Sequence, residues 1–254
     1  MSGGLLHRTG VAGDPASPIH RLDPRAKILG LAGITVVGVS TPLHAWPAFV
    51  ACFAALAAIA ALARVGPGIL WSRVRVVLPL VVFVAAFVPF VRGGPAVEVG
   101  PLSLSEAGLA TFALVTAKAA IGALGAVLLG ATTSFPDILH GLERLRVPRL
   151  LTVIAAFMYR YVFVIVDEAR RMRAALAARA YRPRHLGQVA AIGRLVTALF
   201  LRSYERGERV YLAMLARGYS GTMPRLAVLV FRRTDTAFLA ALMLTLIPLR
   251  VVAG

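Results

Sequence analysis

The stretch ILGLAGITVVGVSTPLHAWPAFVACFAALAAIAALA, residues 28–63, decides the fold, because its 36 residues include no Lys, Arg, Asp or Glu. A membrane-spanning helix needs about 20 apolar residues, and somewhat shorter helices also occur. The stretch is therefore long enough for two short spanning helices. Two prolines and a tryptophan in the segment Thr41–Pro47 predict a turn between them at a membrane surface.

Three further apolar runs cover residues 76–91, 107–131 and 236–249. The 254-residue chain is 59% hydrophobic and only 15% charged, whereas a soluble domain is about half apolar and a quarter charged. The sequence therefore predicts an all-α, polytopic helical membrane protein with about five transmembrane helices and a cytoplasmic helical domain. It also argues against a nucleic-acid-binding protein, despite the net charge of +17.

The distribution of arginine and lysine predicts the topology. Residues 137–233 hold 18 Arg and 6 acidic residues, and basic segments stay on the cytoplasmic side of a membrane. We expect a multi-pass protein of the cell inner (plasma) membrane whose N-terminus is cytoplasmic. The predicted divisions are a cytoplasmic N-terminal segment (1–24), transmembrane helices one to four (25–133), a cytoplasmic domain (134–233) and a C-terminal transmembrane helix (234–254).

Residues 151–166 allow two interpretations. They are apolar enough to form a sixth span, but Arg160 interrupts them and both flanks are basic. We interpret them as part of a long helix at the cytoplasmic interface, because a span would move one basic flank outside.

No pattern predicts catalysis or metal binding. The chain has no G-x-x-x-x-G-K-[ST] phosphate loop, no H-E-x-x-H and a single cysteine, and its five histidines lack metal-ligand spacing. We therefore predict no catalytic residues and no metal ligands. Lys118 is an ionisable residue inside a predicted span, which makes it a functional candidate with no evident acidic partner.

Two similar units end predicted helices in the basic segment. They are Leu-Ala-Ala-Arg-Ala-Tyr at 176–181 and Met-Leu-Ala-Arg-Gly-Tyr at 214–219, and Gly218 is expected to be a left-handed helix cap. An arginine in a last turn complements the helix dipole. Small neighbours would also let a partner surface reach each guanidinium, so electrostatics and docking both remain interpretations.

The segment His20–Lys27 predicts the start of the first helix. Asp23 is the expected N-cap, Pro24 suits the first helical position, and Arg25 and Lys27 are expected to anchor the helix by extending to the membrane surface.

The chain resembles a known family over nearly its whole length. The strings SPIHRLDPRAK (17–27), YRYVFVIVDEARRMR (159–173) and LRSYERGERVYLAMLARGY (201–219) look like those of the transmembrane T component of energy-coupling factor (ECF) transporters. They are most similar to the cobalt-type branch, CbiQ. The resemblance implies a non-catalytic subunit that couples two ABC ATPases to a metal-binding membrane subunit, the S component, and it allows for a small accessory membrane subunit.

The resemblance also assigns roles to residues. Arg179 and Arg217 would dock on the ATPases, with small residues beside them: Ala178, Ala180, Ala216 and Gly218. The chain departs from the family pattern at Ala180, where the family has glycine. ATP would be bound by the partner ATPases and no cofactor by this chain.

Other functions stay open at this level. The implied substrate is cobalt, for cobalamin biosynthesis, while nickel or a vitamin would use the same architecture. A membrane-bound lipid-modifying enzyme would need a polar cluster at one membrane depth, and only Lys118 stands out. A basic anchor for anionic lipid is the third alternative.

Overall fold

The computed structural model describes residues 17–42, 45–86, 96–99, 102–179, 181, 189–221 and 231–252. In these residues the chain is helical, with one short hairpin. The elements are α1 (Pro24–Ser40), α2 (Trp46–Leu62), α3 (Pro67–Ala86), β1 (Ala96–Val99), β2 (Leu102–Ser105), α4 (Glu106–Thr132), α5 (Phe135–Arg144), α6 (Arg149–Ala178), α7 (Val189–Ala216) and α8 (Arg233–Val252). They form two compact units, Met1–Arg149 with Val230–Gly254 and Leu150–Leu229.

Helix α1 is the centre of the first unit and packs against α2, α4, α5 and α8. Its buried face interlocks with apolar side chains of those helices, and the largest fully buried side chains of this core are Ile34, Leu56, Ile121 and Leu128. The predicted first, second, fourth and last spans coincide with α1, α2, α4 and α8. The predicted third span coincides with α3 as far as Ala86, and its residues 87–91 lie outside the described residues.

Two glycines let neighbouring helices approach α1 closely. A Cβ at Gly30 would lie 2.8 Å from the Phe238 ring and 2.9 Å from Leu242 of α8. A Cβ at Gly38 would lie 3.0 Å from the Ile121 side chain of α4. Small residues at such positions allow the close backbone approach on which helix packing in lipid depends.

The outer surface of the first unit is apolar. Val36, Val50, Phe83 and Leu244 are all more than half exposed, as is Trp46 at the start of α2. Among the described residues, Ala110–Thr132 and Arg149–Ala178 are long and apolar enough to cross a membrane, by length and composition. A helical fold with this outward apolar surface is that of a membrane protein, as the composition predicted.

A short antiparallel hairpin precedes α4. Strands β1 and β2 pair with Ala96 opposite Ser105 and Val99 opposite Leu102. Strands of four residues carry too little periodicity to be recognised from the sequence pattern.

The second unit contains α6 and α7, each longer than 25 residues. Its boundaries differ from the predicted cytoplasmic domain, 134–233. Helix α5 belongs to the first unit because it packs on α1, and the second unit begins at Leu150.

Candidate functional site

Helix α6 ends at the first Ala-Arg unit. Its last helical residue is Ala178, and Arg179 occupies the cap. The Arg179 and Tyr181 N–H groups both donate to the Leu176 carbonyl oxygen, at 3.1 and 3.2 Å. Ala180, the position where the sequence departs from the family pattern, lies outside the described residues.

Helix α7 ends in the same way, at the second of the two Ala-Arg units. The Tyr219 N–H donates to the Met214 carbonyl at 3.0 Å, and the Gly218 N–H donates to the Leu215 carbonyl at 2.9 Å. This pair of bonds is a Schellman cap, which places a left-handed residue after the cap position. Gly218 has a φ of +79°, which confirms the predicted left-handed glycine.

Both arginines are exposed, and so are the described small residues beside them, Ala178, Ala216 and Gly218. The equivalent bonds from Tyr181 and Tyr219 close the two helices at the same position relative to the arginine. Each guanidinium is therefore presented at the tip of a capped helix, free of bulky neighbours in the chain sequence. Arginine in this setting offers a planar, permanently charged fork for carboxylates and carbonyls.

A carboxylate links the two helices. Glu168 of α6 accepts hydrogen bonds from Arg171 of the same helix, at 2.5 Å, and from Arg202 of α7. The hydrogen bonds from Arg171 and then Arg202 hold the pKa of Glu168 below its ordinary value. Glu168 lies beyond the apolar stretch 151–166, and it was not singled out from the sequence.

An apolar cavity of about 360 Å³ lies between α6 and α7. Its lining comes from Phe157, Met158, Tyr161 and Ile165 of α6 and from Ser203, Arg206, Gly207, Val210 and Met214 of α7. The lining residues of α6 come before Glu168 in the sequence, whereas those of α7 come after Arg202. Because Glu168 contacts Arg202, the two helices run in opposite directions and are antiparallel.

The antiparallel arrangement puts the two arginines at opposite ends of the helix pair. Arg179 follows Glu168 by 11 residues and Arg217 follows Arg202 by 15 residues. At a helical rise of 1.5 Å per residue, the arms beyond the ion pair are roughly 16 and 22 Å long. Two separate partner surfaces can therefore each receive one arginine.

The predicted N-terminal anchor is a buried structure in the first unit. Asp23 is the N-cap of α1, its carboxylate accepts from the Arg25 N–H at 2.9 Å, and Pro24 is the first helical residue, as predicted. The Arg25 Nε atom lies 3.7 Å from the same carboxylate.

The prediction that Lys27 extends to the membrane surface is wrong. Lys27 is 3% exposed, and its ammonium donates to the carbonyl oxygens of His20 at 3.1 Å and Thr132 at 3.0 Å. Main-chain carbonyls at the end of α4 and in the turn before α1 replace the water that a surface lysine would use. Sequence spacing does not reveal this contact, because Thr132 is 105 residues away.

The described residues contain no group of three or more His, Cys, Asp or Glu side chains that could hold a metal ion. Lys118 is half-buried in α4, and its role stays a prediction.

An all-helical membrane protein with two arginine-ended helices is similar to the transmembrane components of energy-coupling factor transporters. The profile of one family, the cobalt transport protein CbiQ, matches residues 15–228. The chain belongs to this CbiQ family.

The sequences of individual relatives are consistent with this family assignment. The chain is 29% identical to the cobalt transport protein CbiQ of Rhodobacter capsulatus, over 88% of this chain and 89% of that protein. It is 28% identical to the energy-coupling factor transporter transmembrane protein EcfT of Listeria innocua, over 88% of this chain and 89% of that protein. It is also 28% identical, over 91% of its length, to an ABC transporter ATP-binding protein of Bifidobacterium longum, of which it spans only 31%.

Proposed function

We propose that this chain is the non-catalytic coupling subunit of an ECF-type importer for cobalt in the cell inner membrane. In this role α6 and α7 lie in the cytoplasm, and Arg179 and Arg217 each dock on one of two ABC ATPase subunits. The observation that carries the proposal is the antiparallel helix pair with an exposed arginine at each end, each helix closed by an equivalent hydrogen bond, from Tyr181 or from Tyr219. A subunit that must contact two ATPases at once needs two such ends.

The proposed docking is strong enough to hold a complex. Truncating one partner of a buried, hydrogen-bonded charge pair costs about 2–5 kcal/mol, and 1.4 kcal/mol is a factor of ten in affinity. Each arginine would therefore contribute a factor of about 30 or more. ATP binding and hydrolysis would belong to the ATPases, whose closure the rigid helices would transmit.

The relatives support the choice of partners and of substrate. A stretch similar to this chain occurs inside a longer ATP-binding protein, which suggests that the two functions work together. Cobalt is suggested by the CbiQ names, and nickel has similar ligand preferences. We assign recognition of the metal ion to a separate membrane subunit.

The apolar faces of α6 and α7 suit that metal-binding membrane subunit. Met158 and Phe200 are more than 60% exposed, and the cavity between the helices is lined mainly by apolar side chains. Large apolar patches of this kind are typical of contact surfaces. We propose that the substrate-binding subunit rests here, so that movement of α6 and α7 reaches it directly.

Uptake of radioactive cobalt tests this function. Cells would produce the chain together with its ATPases and metal-binding subunit, and the Arg179→Ala/Arg217→Ala variant should lose cobalt accumulation. The variant should remain in the membrane at the normal amount, because both side chains are exposed. Accumulation at the unaltered rate in this variant would refute the docking role. Accumulation of nickel but not cobalt by the unaltered complex would show that the substrate is nickel.

A further inference from the structure

The second unit is joined to the membrane helices through two chain connections. The chain leaves the first unit after α5 and returns to it at α8, and both of these helices pack on α1. The covalent connections of the second unit therefore enter the first unit at α5 and α8.

The start of α8 is tied to the start of α1. Asp235 is 1% exposed, and its Oδ1 atom accepts from the Asp23 N–H at 2.8 Å. Its Oδ2 atom accepts from the Arg232 N–H at 2.6 Å, which caps α8 itself. One buried carboxylate thus closes the first turn of α8 and holds it against α1.

The start of α5 is tied to the same place. The Lys27 ammonium donates to the carbonyl of Thr132, the last residue of α4, and Ser134, two residues later, caps α5. Gly141 of α5 lies directly on α1, since a Cβ there would be 2.9 Å from Ile28 Cδ1 and 3.2 Å from Pro24 Cβ. We call Asp23, Lys27, Thr132 and Asp235 the α1 node.

The charges of the node bind these elements together. Burial disfavours the charged form of Lys27, and the carboxylates of Asp137, Asp235 and Asp23 favour it. A buried charge that loses its partner is strongly unfavourable. The node therefore resists separation of α1 from α5 or α8.

We propose that the α1 node is the point at which movement of the coupling unit enters the membrane helices, with Lys27 and Asp235 as positioning residues. This inference rests on the proposed coupling function. Movement of either chain connection, at α5 or at α8, would pass through the node to α1, the central helix of the bundle.

The test compares Lys27→Met and Asp235→Asn in the full complex, reconstituted in liposomes with both ATPases and the metal-binding subunit. ATPase affinity should stay within about twofold of the unaltered complex, because Arg179 and Arg217 are untouched. The ratio of ATP hydrolysed to cobalt imported should rise at least tenfold. Thr35→Val is the control in the same helix and should leave this ratio unchanged, because Thr35 is outside the node and its hydroxyl donates within α1 to the Leu31 carbonyl.

Three results would overturn the proposal. They are an unchanged ratio in both node variants, an increase of similar size in Thr35→Val, and a loss of ATPase affinity in parallel with uptake. Failure of both node variants to fold would assign the node to stability alone and overturn the proposal as well. The Arg179→Ala/Arg217→Ala variant separates this inference from the coupling function, since unaltered ATPase affinity there would refute the function itself.

Discussion

Gly218 shows how one residue shapes the proposed docking end of α7. Its φ of +79° lies in the left-handed region, where a Cβ costs roughly 1–2 kcal/mol. Nothing lies within 4 Å of the position that a Cβ would occupy, so this cost comes from the backbone and not from a clash.

Replacing Gly218 with alanine should therefore loosen the cap by about 1 kcal/mol. Gly193→Ala is the matched control, because Gly193 lies within α7 with open space around it, and alanine should stabilise the helix there by about 0.5–1 kcal/mol. Thermal unfolding of the purified protein in detergent should show opposite shifts. Equal shifts for the two variants would contradict the cap geometry.

At the residue scale the sequence predicted local contacts but not distant ones. The Asp23 cap, Pro24 and the left-handed Gly218 follow from neighbours in the chain, and the structure confirms all three. The burial of Lys27 depends on Thr132, which no local pattern connects to it. Asp235, in the first turn of α8, had a local signal as an acidic residue at a helix start, but its bond to Asp23 spans 212 residues.

At the element scale the apolar runs predicted helices α1, α2, α3, α4 and α8 of the first unit closely, because lipid requires long apolar stretches whose backbone bonds are internal. Helices α6 and α7 each extend over more than 25 residues before the Ala-Arg units that end them. Their polar faces carry charges that dilute the apolar signal. Their antiparallel pairing rests on contacts such as Glu168 with Arg202, which sequence periodicity does not encode.

The link between α6 and α7 should depend on the charge of Glu168. Its pKa is lowered in the folded protein, so its contribution is present above the ordinary pKa of about 4.3 and is lost as the pH falls through the folded value. The distance between spin labels at Ala175 and Arg194 should therefore stay constant from pH 8 to pH 5.

Glu168→Gln should broaden that distance distribution at every pH, because the amide cannot form the ion pair with Arg202. Asp167→Asn is the matched control, since Asp167 pairs at 3.3 Å with Arg170 of the same helix. An unchanged distribution in Glu168→Gln, or the same broadening in Asp167→Asn, would show that Glu168 does not hold the helices together.

At the scale of the whole molecule, the α1 node constrains the topology. It brings the start of α1, the end of α4 and the start of α8 to one side of the first unit. In the predicted topology the chain crosses the membrane four times between the start of α1 and the end of α4. An even number of crossings is what this geometry requires. A single crossing by residues 151–166 would instead place the start of α8 on the opposite side from the end of α4.

Cysteine labelling in intact cells tests this topology in a Cys52→Ser background. Cysteines at Leu150 and Arg173 should both resist a membrane-impermeant reagent added outside, and both should react after the cells are opened. A cysteine at Trp46, at the predicted external turn, is the positive control for outside labelling. Outside labelling of one of the two α6 positions would make residues 151–166 a span and overturn the cytoplasmic placement of the helix pair.

The central claim is that the two helix-end arginines bind the ATPases. The affinity between the chain and the ATPases tests this claim most directly. The affinity of the ATPase pair for the chain in lipid nanodiscs should fall at least 30-fold for each of Arg179→Ala and Arg217→Ala. The Arg170→Ala/Arg209→Ala variant removes two exposed arginines that lie 9 and 8 residues before Arg179 and Arg217 in the same helices, and it should bind within about threefold of the unaltered chain. Equal losses for the end and control arginines, or no loss for the end arginines, would contradict the account.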